Sequence, residues 1–309
     1  MSIKISKPLS DKHLSLVLAA DSNVIYGLLV AITSSFLNLN RQYNLKCYVL
    51  AIALTDSEKA SIREWLNPFS PRLELNFIDI EREAIDTLYT YGRFSSAIYG
   101  RYFTAELIPE ATYPIYIDTD IIVQRDLSEL LTKLDPSKPA AGVAEGTIQK
   151  FMSDRAISRY NLQESSTYIN SGFIVINASL WREEKYADKL LAITKQLAND
   201  TKSPDQDAFN ILFHRSWQVL DSQWNTLVML NPYTSPIIEL PKKANVHTVG
   251  KFKPWMFEYK RSQGVVKEFY RYLNQTSYPD RDCPTSEFKY QNPVIKNLKS
   301  TLKKVLQYS

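Results

Sequence analysis

Strand-like runs alternate with helical patterns through the first 80 residues, and this alternation constrains the fold more than any other feature. The runs are residues 14–20, 46–54 and 73–80, each short and rich in apolar residues. A helical pattern occupies residues 25–37, and a second one ends at Leu66 after the capping-box sequence Thr55-Asp-Ser-Glu58. Strands that alternate with helices predict an α/β fold whose mostly parallel sheet is covered on both faces.

Two carboxylates follow a fourth apolar run, at residues 115–117. Asp118 and Asp120 come directly after it, and residues i and i+2 of an extended segment project to the same side. Two close carboxylates repel each other unless a cation lies between them, and hard oxygen ligands suit Mg²⁺ or Mn²⁺. Phosphate oxygens can fill the remaining positions around such an ion. The stretch therefore predicts a divalent metal that holds a diphosphate.

An Asp-x-Asp triplet also has a simpler explanation, because a pattern this short is expected about once by chance in a chain of this length. The chain contains two other copies, Asp205-Gln-Asp207 and Asp280-Arg-Asp282. The last copy lies among prolines and is typical of a solvated loop. The apolar strand before Asp118 and the run Ile121-Ile-Val123 after Asp120 favour the functional interpretation.

Polar side chains also stand at the ends of other predicted strands. Asp21 and Asn23 follow the first strand, and Glu145 ends a strand at residues 140–145. Ligands of parallel sheets bind beyond the carboxyl ends of the strands, so these groups and Asp118 are expected to share one cleft. Asn170, on a strand at residues 168–177, can present its amide to a hydroxylated ligand, and Gly172 permits close approach of the backbone.

Three further residues each have two interpretations. Arg101 is a candidate for a diphosphate contact, because a guanidinium matches phosphate oxygens, but a surface ion pair would explain it equally well. Asp205 opens a predicted helix, where aspartate is usually a cap. The polar neighbour Gln206 raises the alternative of sugar recognition. Residues 178–198 predict one amphipathic helix, and residues 148–163 predict a mobile excursion over the cleft.

Residues 245–255 form the second unusual stretch. A lone histidine is more often packed or solvated than a ligand, but Gly250 and Lys253 follow His247 and suit an anion site. Together with Asp118 and Asp120, this imidazole would give three protein ligands and leave three octahedral positions open.

Composition bounds the remaining possibilities. The net charge of +4 is mild and gives no reason to expect nucleic acid as a partner. Apolar runs are too short to span a membrane, the polar start does not resemble a signal peptide, and two unpatterned cysteines fit a reducing cytoplasm. We expect one domain over residues 1–275, followed by a basic loop and helix over residues 276–309.

The predicted tail helix has an apolar face flanked by lysines. The apolar face consists of Ile295, Leu298, Leu302 and Val305. This helix either packs on the domain or docks on an anionic membrane surface, which would place the protein peripherally on the inner face of the membrane.

The chain resembles the retaining glycosyltransferases of family 8, which include bacterial lipooligosaccharide galactosyltransferases and glucosyltransferases. Four blocks carry the resemblance, in the order that the family has them. They are Ala19-Ala-Asp-Ser-Asn23; Tyr99-Gly-Arg101 with Asp118-Thr-Asp120; Asn170-Ser-Gly172 with Asp205-Gln-Asp207; and His247-Thr-Val-Gly-Lys-Phe-Lys-Pro-Trp255. They cover roughly residues 14–260, and the last block is the most specific.

The resemblance implies a nucleotide-diphospho-sugar transferase fold, called the A-type glycosyltransferase fold, with a mixed, mostly parallel sheet. It implies that Asp118, Asp120 and His247 bind Mn²⁺ (or Mg²⁺). The donor-binding positions that it implies are Ala19, Asp21, Asn23, Arg101, Asn170, Gly250 and Lys253. Asp205 and Gln206 match catalytic, sugar-contacting positions, and Glu145 stands where the galactosyltransferases have an aspartate near the transferred sugar or the acceptor.

The implied reaction moves glucose or galactose from a UDP-hexose to a surface glycan, which can be lipid-linked, or to a glycoprotein. Because Gln206 is an amide and a poor nucleophile, front-face attack is favoured over double displacement. Two other functions stay open. A metal-dependent sugar nucleotidyltransferase also uses paired aspartates, although residues 19–23 lack its glycine-rich phosphate loop, and a catalytically silent UDP-sugar-binding protein could retain the same groups.

Overall fold

The computed structural model describes residues 12–80, 96–197, 200–231, 241, 243–257 and 264–279. The predictions made for the tail helix and for Asp280-Arg-Asp282 lie outside the described residues. In the described part of the chain, no helix combines the length and the apolar character needed to cross a bilayer.

The described strands form two sheets. In chain order they are β1 (His13–Ala20), β2 (Asn44–Ala51), β3 (Leu73–Asp79), β4 (Ile115–Ile117), β5 (Ile121–Ile122), β6 (Ala140–Thr147), β7 (Thr167–Ile176), β8 (Gln218–Leu220), β9 (Thr226–Met229) and β10 (Val246–Val249). The larger sheet has the order β3-β2-β1-β4-β7-β6-β8, and the smaller has the order β5-β10-β9. In the larger sheet β7 runs antiparallel to both neighbours, and the other pairs are parallel. The predicted mixed, mostly parallel sheet is confirmed.

Helices connect the strands and cover the sheet. They are α1 (Ile25–Asn38), α2 (Asp56–Leu66), α3 (Thr104–Leu107), α4 (Ile148–Phe151), α5 (Asp154–Arg159), α6 (Ala178–Glu183), α7 (Tyr186–Leu197), α8 (Pro204–Phe213) and α9 (Gly264–Leu273). A 3₁₀ helix at Ser96–Phe103 leads into α3, and another spans Leu127–Thr132. The predicted capping box is present at α2, where Glu58 Oε2 accepts from Thr55 N at 2.8 Å and Thr55 Oγ1 accepts from Glu58 N at 3.2 Å.

Alternate side chains of β1 enter two different cores. Leu14, Leu16 and Leu18 pack on the face that α1 covers, whereas Val17 packs with Tyr116 on the opposite face. Because both faces are buried, the strand is apolar throughout instead of alternating with polar residues. This explains why short continuous runs predicted the first strands so closely.

The prediction of one helix over residues 178–198 is wrong. Lys185 has φ +51°, in the left-handed region, and separates α6 from α7. The break brings the buried ring of Trp181 edge-on to Tyr186, with centroids 5.6 Å apart. The apolar pattern continues across a break of one residue, so the helical periodicity of the sequence does not reveal the break. The stretch predicted as an excursion over the cleft contains α4 and α5, and it buries Ile148 and Ile157 in a second apolar cluster.

The smaller sheet begins immediately after Asp120. β5 pairs with β10 so that Ile121 lies opposite His247. Helix α1 packs closely against this region, because a Cβ on Gly27 would lie 2.5 Å from Thr119 O and 2.8 Å from Trp255 Cζ3. The small sheet therefore holds the predicted metal ligands at the carboxyl end of β4.

The packed body continues a few residues past α9. The ring of Tyr278 lies edge-on to Tyr26 at 5.3 Å and to Trp65 at 4.8 Å, and Ser277 N donates to Trp65 O at 2.9 Å. The boundary proposed at residue 275 stays a prediction.

Candidate active site

The sheet brings the first two strand-end motifs to one edge, as the sequence predicts. β1 and β4 are parallel neighbours, with Leu16 opposite Ile115. Asp21 therefore lies at the same edge as Asp118, and its Oδ1 accepts from Asn23 N at 2.9 Å in a short turn. Ala19 is half-buried near the end of β1. Contact of these three residues with a nucleotide stays a prediction.

Asp118, Asp120 and His247 converge, and each offers a ligand atom within 4.8 Å of the other two. His247 Nε2 lies 3.1 Å from Asp120 Oδ1 and 3.8 Å from Asp118 Oδ2. Ligands about 2.1 Å from an octahedral ion stand about 3 Å apart when adjacent. The three atoms are thus spaced as ligands of one ion, and two oxygens with one imidazole nitrogen suit Mn²⁺ or Mg²⁺.

Gly172 leaves the space that this cluster needs. A Cβ on Gly172 would lie 2.3 Å from His247 Cε1 and 2.7 Å from Asp118 Oδ2. Its carbonyl also accepts from Asp118 N at 2.8 Å and holds the start of the Asp118–Asp120 turn. The close approach of the backbone that the glycine predicts is therefore directed at the proposed metal ligands, and close approach to a hydroxylated ligand stays a prediction.

Arg101 is buried, at 4% exposure, and it orders the carboxylates on either side of it. Nη2 donates to Asp118 Oδ1 at 2.9 Å, and Nη1 lies 3.2 Å from Asp205 Oδ2. Tyr116 OH also donates to Asp118 Oδ1, at 3.0 Å. Burial raises the pKa of the Tyr116 phenol, so its hydroxyl stays a donor. The surface ion pair considered for Arg101 is wrong, because its guanidinium is buried; contact with a diphosphate stays a prediction.

Asp120 is bound from three sides. Thr248 N donates to its backbone carbonyl at 3.0 Å, and Lys253 Nζ donates to its Oδ2. Burial by itself would raise the pKa of this carboxyl, but the neighbouring His247 and Lys253 outweigh it and hold the pKa well below its usual range. Asp120 therefore offers an ionised carboxylate to the cluster at neutral pH.

Lys253 follows a backbone turn that only glycine adopts readily. Gly250 has φ +90° and directs the chain after β10 back toward Asp120. Lys253 Nζ also donates to Thr248 O at 2.8 Å, which fixes the ammonium group beside the cluster.

A second cluster of polar side chains lies beside Asp118, Asp120 and His247. It contains the residues that are predicted to contact the sugar. Gln206 Oε1 accepts from Ser171 N at 2.9 Å, and Gln206 Nε2 donates to Glu145 Oε2 at 3.1 Å. Asn170 Nδ2 donates to the same Glu145 oxygen at 2.9 Å. The structure thus brings Glu145, Asn170 and Gln206 together around Ser171, although they come from β6, β7 and α8.

Asp205 lies in the first turn of α8, but the N-cap residue of this helix is Ser203, so the expected capping role of Asp205 is wrong. Its Oδ2 accepts from Ser171 Oγ at 3.0 Å and faces Arg101. Asp205 thus links α8 to β7 and to the arginine that also contacts Asp118. Burial raises the pKa of Asp205, although Arg101 opposes this shift. The contacts with Ser171 and Arg101 orient the carboxylate of Asp205, and its contact with a sugar stays a prediction.

Sequence reasoning missed two residues of the site. The sequence shows Tyr116 only as part of the apolar run at residues 115–117, and nothing in it singles out Asn225. Asn225 is 2% exposed, and its Oδ1 lies 3.1 Å from His247 Nδ1. A single asparagine before a short strand carries no pattern, so the sequence held no signal for it. The hydroxyl of Tyr116, two residues before Asp118 on the same side of the strand, was detectable.

Comparison with known proteins decides the family. A family model described as glycosyl transferase family 8 matches residues 15–258. The chain belongs to glycosyltransferase family 8. This family 8 chain is 28% identical over 253 residues to the lipopolysaccharide 1,2-glucosyltransferase of Escherichia coli K12, across 78% of this chain and 72% of that protein. It is 27% identical over 242 residues to the lipopolysaccharide 1,3-galactosyltransferase of Salmonella typhimurium, across 76% and 71% of the two chains.

The crystal structure of the galactosyltransferase LgtC with donor and acceptor sugar analogues has the same fold as this family 8 chain. The TM-score is 0.71 at 19% identity, over 86% of this chain and 98% of LgtC. The predicted A-type glycosyltransferase fold and the family resemblance are confirmed.

Proposed function

We propose that this glycosyltransferase moves glucose or galactose from a UDP-sugar to a glycan acceptor with retention of configuration. The convergence of Asp118, Asp120 and His247 carries the proposal, because this ligand set suits Mn²⁺ or Mg²⁺ and sits where two strand ends meet. The ion, when bound, neutralises negative charge on the diphosphate leaving group. Such stabilisation of a developing charge is a major source of rate acceleration in enzymes.

The chain's own residues supply the rest of the chemistry. Lys253 adds a positive charge at the diphosphate side of the cluster. Asn170 and Gln206 orient the hexose, and Glu145 holds both of their amides from one oxygen. Asp205 would accept hydrogen bonds from sugar hydroxyls in an orientation fixed by Arg101 and Ser171.

Front-face attack fits this arrangement better than double displacement. Double displacement needs a nucleophile beneath the anomeric carbon, and Gln206 is an amide whose oxygen already accepts from Ser171 N. In the proposed step, the acceptor oxygen bonds to the anomeric carbon on the face from which UDP leaves. The bond from that carbon to the diphosphate oxygen breaks, and the acceptor proton passes to the departing diphosphate. We propose that Glu145 orients the acceptor.

The acceptor class is proposed from the relatives. Two of them are lipopolysaccharide glycosyltransferases, so we propose a surface glycan that can be lipid-linked. Such an acceptor would be reached from the cytoplasmic face of a membrane. The basic residues after position 292 would then serve to hold the protein at that surface.

Release of UDP from UDP-glucose and UDP-galactose tests the proposal, measured with Mn²⁺, with Mg²⁺ and with EDTA. NMR of the product reports whether the anomeric configuration is retained. Asp120→Asn should abolish metal-dependent turnover while the thermal unfolding temperature in EDTA stays close to that of the wild type, because a neutral amide replaces a charged ligand. Unchanged turnover in this variant would refute the metal assignment. Formation of pyrophosphate from UTP and a sugar phosphate would indicate a nucleotidyltransferase, and UDP-sugar binding without turnover would indicate a silent protein.

A further inference from the structure

A chain of side-chain hydrogen bonds runs from the predicted sugar site to the predicted metal site. Asn170 Nδ2 donates to Glu145 Oε2 at 2.9 Å, and Asn225 Nδ2 donates to Asn170 Oδ1 at 2.9 Å. The last link joins Asn225 Oδ1 and His247 Nδ1 at 3.1 Å. Asn170, Asn225 and His247 are 6%, 2% and 4% exposed, so water does not compete readily for these links.

A backbone group fixes the direction of every link. Gly172 N can only donate, and it does so to Asn170 Oδ1 at 3.0 Å. With that oxygen assigned, the Asn170 amide group must face Glu145, and the atom of Asn225 that faces Asn170 Oδ1 must be the donor Nδ2. Asn225 Oδ1 is then the atom that faces the imidazole. Because this oxygen can only accept, Nδ1 of His247 must carry the hydrogen.

The assignment has a direct consequence for the metal site. With the hydrogen held on Nδ1, Nε2 is the ring nitrogen whose lone pair is available to a bound metal ion. Nε2 is the nitrogen that faces Asp118 and Asp120, at 3.8 and 3.1 Å. A partner that holds the far nitrogen of a ligating histidine sets the orientation of the ring, and its loss typically costs about 10- to 100-fold in metal affinity or activity.

We propose that Asn225 is a positioning residue that directs Nε2 of His247 into the metal site. The inference rests on the metal site of the proposed function. It also makes Asn170 and Glu145 indirect supports of the metal ligand, because they orient the amide of Asn225.

Mn²⁺ alone serves as the probe, without sugar nucleotide. Asn225→Leu removes the acceptor while keeping a side chain of similar length that branches at Cγ. Asn225→Asp keeps an oxygen for His247 Nδ1 but loses the amide hydrogens that face Asn170. Asn177→Leu is the matched control, because Asn177 is also a buried asparagine, at 6% exposure, and it caps α6 away from the site. Thermal unfolding in EDTA measures the effect of each change on the fold.

Two measurements decide the outcome: EPR of free Mn²⁺ gives the affinity, and electron spin echo modulation detects a ¹⁴N nucleus bound directly to the ion. We expect the wild type and Asn177→Leu to show the nitrogen coupling. Asn225→Leu should lose affinity by about 10- to 100-fold and lose or weaken the coupling even at saturating Mn²⁺. Asn225→Asp should keep the coupling. The coupling is the deciding readout for this variant, since its added negative charge attracts Mn²⁺ by itself.

Wild-type affinity and coupling in Asn225→Leu would overturn the inference alone. Equal loss of the coupling in Asn225→Asp and Asn225→Leu would also overturn the inference. The acceptor oxygen that Asn225→Asp keeps would then not be what positions His247. If the wild-type protein shows no nitrogen coupling, both this inference and the proposed ligand set are refuted. If the inference alone fails, the wild type still shows the coupling, so the two failures are distinguishable.

Discussion

Replacement of Gly172 with alanine should impair metal binding more than it destabilises the fold. The new Cβ would lie 2.3 Å from His247 Cε1, 2.9 Å from His247 Nδ1 and 2.7 Å from Asp118 Oδ2. Non-bonded carbon atoms pack at about 3.5–4.0 Å, so the imidazole or β7 must move by roughly 1 Å. Movement of the imidazole separates His247 from the two aspartates, and movement of β7 shifts Gly172 O, which accepts from Asp118 N.

The expected magnitudes follow from this displacement. Overpacking in a well-packed region costs about 1–3 kcal/mol of unfolding free energy. A misplacement of about 1 Å in catalytic geometry costs about 100-fold in rate. The hydrogen bond between Asn225 and His247, at 3.1 Å, would also be stretched or lost. We therefore expect Mn²⁺ affinity to fall by about tenfold or more and turnover by about 100-fold.

Gly100→Ala is the matched control for this experiment. Its Cβ would meet nothing nearer than Leu50 Cδ1 at 3.6 Å and Ala19 Cβ at 3.9 Å, which are ordinary contacts. Mn²⁺ titration followed by EPR, UDP release at saturating Mn²⁺ and thermal unfolding in EDTA would be measured on both variants. If Gly172→Ala binds Mn²⁺ and turns over like the control, the glycine is not what keeps the site open.

Three further predictions concern the sugar side, pH and the tail. Gln206→Ala should lower kcat far more than it weakens UDP binding measured by calorimetry, and equal losses would assign the residue to the nucleotide site. Burial raises the pKa of Asp207 from 3.8 to about 6, although Tyr168 and Thr201 donate to it. Stability should thus fall as pH rises through that window, and Asp207→Asn should gain about 2 kcal/mol on the wild type between pH 4 and 7 in urea unfolding; a pH-independent difference would contradict this. Deletion of residues 293–309 should preserve UDP-sugar hydrolysis and remove salt-sensitive binding to anionic vesicles, and unfolding or unchanged vesicle binding would speak against a membrane role.

Short sequence patterns predicted those features of the fold that depend on interactions between residues close together in the chain. β1 and β2 are apolar because the sheet is covered on both of their faces, and the capping box at Thr55 needs only residues three apart. The carboxylates after β1 and β4 were predicted to share a cleft, because parallel strands end at the same edge. These inferences needed no knowledge of distant contacts.

The remaining features depend on contacts between distant parts of the chain. β5 and β10 are two and four residues long, and only their pairing makes them strands. The position of Asn225 beside His247 follows from the way β9 lies along β10, which leaves no mark in either segment. The break at Lys185 accompanies the contact between Trp181 and Tyr186, and it leaves no mark in the apolar pattern of the segment.

The pairing of β5 with β10 also sets when the site can form during synthesis. Asp120 and Thr248, which joins it by a backbone hydrogen bond, are 128 positions apart in the chain. A nascent chain therefore exposes both aspartates long before it contains the imidazole. Contacts of such long range form late, after much of the loop-closure entropy has been lost. We expect ribosome-bound chains that end before β10 to capture Mn²⁺ poorly, so that metal loading reports completion of the fold.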